Sequence, residues 1–122
     1  MRAELRGLDF EPEPRALPAD PAAFTFQARL YIGPAADRGE ESFDVTVCSP
    51  EWLAARCQRE GVVWPIHHLV VTVDCFDERT LRDWFNQQVQ RAEGESWRNI
   101  AEQLSRLGHW EFSGYREHRD QG

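Results

Sequence analysis

Between Phe24 and Ile32 the chain alternates without a slip. Phe24, Phe26, Ala28, Leu30 and Ile32 fall on one side, and Thr25, Gln27, Arg29 and Tyr31 on the other. Successive side chains of a strand point to opposite faces, so a strict period of two means a strand buried on one face and wet on the other. The pattern returns in Phe43, Val45 and Val47, set against Asp44, Thr46 and Cys48. Gly33-Pro34 breaks the first run and the polar stretch Ala35 to Glu41 leads into the second, so the two are expected to pair as a hairpin. A sheet with one apolar face needs a second layer to cover it, and that need constrains everything else in the chain.

The remaining segments supply candidates for that layer. Arg2 to Phe10 reads as another half-wet strand, with Arg2, Glu4 and Arg6 opposite Ala3 and Leu5. Glu11 to Pro21 holds four prolines, each removing an amide donor and restricting its predecessor, so it is expected to be a surface loop. Ser49-Pro50-Glu51 is a helix start, with a hydroxyl N-cap, proline in the first turn and an acid beside it. That helix is expected over Pro50 to Arg59, with Gly61 ending it. His68 to Phe76 is β-branched and apolar on both sides, the pattern of a central strand. Asp77 caps a helix whose face is Leu81, Trp84, Phe85 and Val89, closed by Gly94. A last helix, Ser96 to Leu107, carries Trp97, Ile100, Ala101 and Leu104, with Gly108 as its stop. His109 to Tyr115 is aromatic and is expected to dock back onto the body.

The order is therefore βββαβαα. Strands and helices do not alternate regularly, which argues against a doubly wound parallel sheet. The expected fold is α+β, an antiparallel sheet of about four strands with three helices packed on one face. Its wet face would carry Arg2, Glu4, Arg6, Gln27, Arg29, Tyr31, Asp44 and Thr46. At 122 residues the chain is expected to be a single domain, residues 1–115, with a frayed tail at 116–122.

Charge and composition exclude several functions. The net charge is −7, and all 14 cations are arginine, with no lysine. A general nucleic-acid binder needs clustered cations to displace counterions, so no nucleic-acid partner is expected. No stretch approaches the roughly 20 apolar residues of a membrane span, and Met1 to Asp9 lacks the apolar core of a signal peptide. Cys48, Cys57 and Cys75 are an odd set with spacings of 9 and 18, which is neither a disulfide framework nor a zinc pattern. They are expected to be free thiols in a reducing cytoplasm.

The inventory of chemistry is thin. His67 and His68 are adjacent, so on a strand they point apart and cannot share a metal without a bend. Cys48, His68 and Asp74 can be drawn as a nucleophilic triad, yet no nucleophile elbow or helix N-terminus supports it. No glycine-rich phosphate loop is present. The residues thus predict no catalytic, metal or cofactor site and no small-molecule substrate. They describe a compact acidic protein that works through its surface, with a small Cys/His enzyme and an unrelated interaction module as the other readings. Five tryptophans (Trp52, Trp64, Trp84, Trp97, Trp110) are expected to be mostly core.

The segment EESFDVTVCSPEWL (residues 40–53), the run Gly94-Glu95-Ser96-Trp97 and LSRLGHWEF (residues 104–112) together resemble the Immunity protein 8 family. The opening MRAELRGL and the Ile32-Gly33-Pro34 turn are also similar to it, so the likeness runs from Met1 to Tyr115. The proline-dense loop and the arginine-rich tail depart from it. The resemblance implies a bacterial immunity protein of a polymorphic toxin system. Such a protein binds a cognate toxin domain stoichiometrically, with no turnover and no cofactor. On this reading the motifs themselves determine the fold, and the toxin contacts are expected at the acidic loop, Asp37, Glu40 and Glu41, joined by Asp44 on the wet face.

Overall fold

The computed structural model describes residues 1–11, 23–72 and 77–111. Three long strands come first: β1 (Ala3–Glu11), β2 (Thr25–Pro34) and β3 (Glu41–Cys48). They are followed by α1 (Pro50–Glu60), β4 (His68–Val70), α2 (Glu78–Arg91), α3 (Trp97–Leu104) and β5 (His109–Trp110). The fold is α+β with a mixed, mostly antiparallel sheet, as the alternation requires. β1 pairs with β2 and β2 with β3, both antiparallel. The far edge of β3 is shared, with β5 antiparallel to Phe43 and Asp44 and β4 parallel to Thr46 through Cys48. His109–Trp110, at the start of the aromatic C-terminal segment, docks as a short fifth strand.

The register explains how β1 serves two phases of alternation. A bulge between Leu5 and Gly7 inserts one residue. The inward positions therefore switch from Ala3 and Leu5 to Leu8 and Phe10. Arg6, displaced at the bulge, sends its guanidinium to the backbone carbonyls of Pro34, Asp37 and Gly39 and so ties down the β2–β3 turn. Two glycines make that turn possible. Gly39 has φ +95, and a Cβ on Gly33 would lie 2.1 Å from the Gly39 carbonyl oxygen and 2.8 Å from Arg6 Cζ.

The buried core is one cluster between the sheet's inner face and two helices. Leu8, Phe10, Ala28, Leu30, Ile32, Phe43, Val45 and Val47 meet Leu81, Phe85 and Val89 of α2 and Ile100, Ala101 and Leu104 of α3. All three helices start where their caps predict. Ser49, Asp77 and Ser96 accept from the backbone amides of Trp52, Thr80 and Asn99. Ser49 Oγ also accepts from the Phe24 amide at 3.1 Å, which links the start of β2 to the start of α1.

α1 differs from its companions in contributing no buried residue. Alternation puts Cys48 on the same side of β3 as Asp44 and Thr46, yet Cys48 is 0% exposed. Arg56 of α1 acts on its thiol, and Trp52 of α1 stacks on His68 at a centroid distance of 6.2 Å. His68 is the register partner of Thr46. The expected single helical layer is therefore made by α2 and α3, while α1 covers the Cys48 end of the opposite face. β4 also departs from expectation: among the described residues it pairs with β3 alone, with Leu69 toward the core and Val70 44% exposed. Among the tryptophans only Trp110 is buried; Trp52, Trp84 and Trp97 are half-buried and Trp64 stands in solvent. The proline-dense loop beyond Glu11, the end of the expected fourth strand (Val73 to Phe76), and Phe112, Tyr115 and the tail lie outside the described residues.

Candidate partner interface

The outer face of the sheet is built from the residues that alternate with the core. Reading across the registers, Asp9 lies opposite Arg29, Arg29 opposite Asp44, and Asp44 opposite His109. Directly opposed residues in antiparallel strands share a face, so these four side chains form one row across four strands. Arg29 binds Asp44 through both arms of its fork, Nε to Oδ1 at 2.9 Å and an Nη to Oδ2 at 3.3 Å. Hydrogen bonding and the negative charge of Asp44 raise the guanidinium's already high pKa further. The Tyr31 hydroxyl donates to Asp9 Oδ2 at 2.9 Å. That bond to a carboxylate holds the phenol above its ordinary range, with desolvation and the charge of Asp9 adding to it and Arg29 opposing. A row further along, Thr46 donates to Gln27 at 3.2 Å. Between these side chains lies an open hollow of about 430 Å³, floored by Gln27, Arg29 and Tyr31 and walled by Asp9 and Asp44. Glu111, bound to Ser42 Oγ, adds a further negative charge that reaches Arg29.

The four acidic residues singled out in the sequence do not lie on one surface. Asp37 and Glu40 are exposed on the β2–β3 turn that Arg6 secures, and Asp44 stands in the outward row. Glu41, by contrast, faces the helical side. Its Oε2 accepts from the indole Nε1 of Trp97 at 3.0 Å and of Trp110 at 2.7 Å, joining β3 to α3 and β5. Sequence reasoning placed Arg29 and Tyr31 on the wet face without assigning them to the site, and it missed Asp9 and His109. The signal for Asp9 is its position between Leu8 and Phe10 after a glycine, which marks the switch in phase.

Of the groups considered for chemistry, Cys48 and His68 share a face of the sheet, His68 opposite Thr46. Burial pushes the Cys48 thiol up, which disfavours the thiolate that nucleophilic attack needs, with Arg56 opposing. Each histidine of the adjacent pair serves a different carbonyl: His67 Nε2 donates to Ser105 O and His68 Nδ1 to Ile66 O, both at 2.7 Å. Asp74 and Cys75 lie outside the described residues. No group of three or more His, Cys, Asp or Glu suited to a metal occurs among the described residues, and no helix there is long and apolar enough to cross a membrane.

Fold and face together define a class: a small α+β protein whose sheet is covered by two helices on one side and presents an ordered polar row on the other. Within that class the chain is specific. A family model for Immunity protein 8 matches residues 3–115, and the chain belongs to that family. No curated protein and no solved structure gives a match.

Proposed function

We propose that this protein neutralises a cognate toxin domain by one-to-one binding in the cytoplasm, without catalysis and without a cofactor. Family membership implies an immunity protein, and hence a toxin as partner. The observation that carries the mode of action is the outward row. Asp9 is held by Tyr31 and Arg29 by Asp44 on paired strands, with His109 at the end of the row, so the surface needs little reordering to bind. Acidic groups prevail around it, with Glu11 at the end of β1, Glu111 beyond β5 and Asp37 and Glu40 on the neighbouring turn. A toxin surface rich in cations is complementary to such a face, and the net charge of −7 speeds the encounter. Asp37, Glu40 and Asp44 are the contacts we assign to it, while Glu41 supports the face from beneath through the two indoles.

The test is co-expression with the toxin domain encoded next to this gene, followed by calorimetric titration of the purified pair. Rescue of growth and a stoichiometry of one are expected. Asp44→Arg, which puts a cation where the partner's cations dock, should weaken binding by about 30-fold or more. Absence of both rescue and complex overturns the reading.

A further inference from the structure

We propose that residues 62–66, between α1 and β4, form an apolar prong that inserts into an apolar socket of the toxin domain, rimmed by basic groups. This assignment rests on the function proposed above and extends the interface beyond the sheet. Val62 is 88% exposed, Trp64 84% and Ile66 55%. Large side chains left in water at three alternate positions of one short loop are an apolar patch awaiting cover. Trp64 is the one tryptophan that neither the core nor a stacking partner uses among the described residues.

The loop is held at both ends. Gly61 donates to Cys57 O at 2.7 Å, closing α1, and Ile66 N donates back to Trp64 O at 2.9 Å. His67, at φ 58, accepts from Thr46 N at 2.8 Å through its carbonyl and donates through its ring to Ser105 O. A loop anchored in this way loses little freedom on binding, and tryptophan is the residue that most often dominates interface energies.

Two observations choose the occupant. First, the prong adjoins the polar row: the ring of His67 lies 6.1 Å from that of His109, and His109 opposes Asp44. An apolar anchor with a charged surround is the anatomy of a protein interface. Second, a second copy of this chain would bring two faces of a molecule of net charge −7 together, whereas a cationic partner would not.

The experiment is titration of the neighbouring gene's toxin domain into wild type, Trp64→Ala and Trp64→Phe. Binding by wild type, a loss of about 100-fold in Trp64→Ala at unchanged melting temperature, and near-full recovery in Trp64→Phe are expected. Should Trp64→Ala lower the melting temperature, Val62→Asp provides the same comparison at a side chain 88% exposed. A complex that tolerates both variants within threefold overturns the prong and leaves the function standing. No complex with wild type overturns the function and the prong with it. A wild-type dimer in sedimentation that Trp64→Ala abolishes gives the loop to a second copy and also overturns the proposal.

Discussion

Two rows of side chains cross the same four strands one residue apart. Leu8, Leu30, Phe43 and Trp110 point inward; Asp9, Arg29, Asp44 and His109 point outward. The backbone ladder is common to both, so their difference is purely one of side-chain chemistry. The inward row is sealed under α2 and α3, with Phe43 and Trp110 stacked at 6.2 Å. It contributes stability, because apolar area is removed from water. The outward row satisfies its charges in solvent, where paired ions contribute little to folding but give shape and sign to a surface. One face of a strand ladder therefore holds the molecule together and the other is free to recognise.

That contrast can be broken most severely from the inside. Phe43→Ala removes a fully buried ring from the centre of the inward row and should cost about 3–5 kcal/mol in urea unfolding, enough to threaten the fold. Glu41→Ala is the intermediate case. It leaves the indole donors of Trp97 and Trp110 without their shared acceptor and should cost about 1–3 kcal/mol, with a change in near-ultraviolet circular dichroism as β5 loosens. On the outside, a double-mutant cycle of Arg29→Ala and Asp44→Ala should return a coupling of only about 0.2–1 kcal/mol, shrinking with added salt. A coupling as large as the Phe43 effect would erase the distinction between the faces.

The smallest expected effect concerns Tyr31. Its folded-state pKa is raised above 10.0, chiefly by the bond to Asp9. The folded protein thus holds the phenolic proton more tightly than the unfolded chain. The stabilisation is complete below the unfolded value and is lost as pH rises through the folded one. Phenolate absorbance in a Tyr115→Phe background should titrate above the free phenol, and Asp9→Ala should bring the midpoint down.

Much of the fold was legible because period and caps are local properties. Phe24 to Ile32 can bury one face only as a strand, and Ser49, Asp77 and Ser96 satisfy amides within their own first turns. Less of the site was legible. Glu41 reads like its neighbour Glu40, one more acid in a polar loop, yet the start of β3 turns it toward two indoles more than 50 residues away in sequence, at Trp97 and Trp110. Asp9 joined the outward row only because a bulge at Arg6 reversed the phase of β1. The stretch from His68 to Phe76, with β-branched Val70, Val71, Thr72 and Val73, looked like a central strand, yet its described strand, His68 to Val70, runs parallel along half of an edge whose other half β5 occupies.

By itself the chain's pattern determined which residues of β2 turn inward, where the helices begin and, through its motifs, the family. Those follow from spacing and residue type, which need no knowledge of distant neighbours. The tertiary structure decided which acids stand together, that Glu41 is occupied within the fold, and that Trp64 is left without cover. Each of these depends on register between strands far apart in the chain, and register is set by how the whole sheet closes over its core.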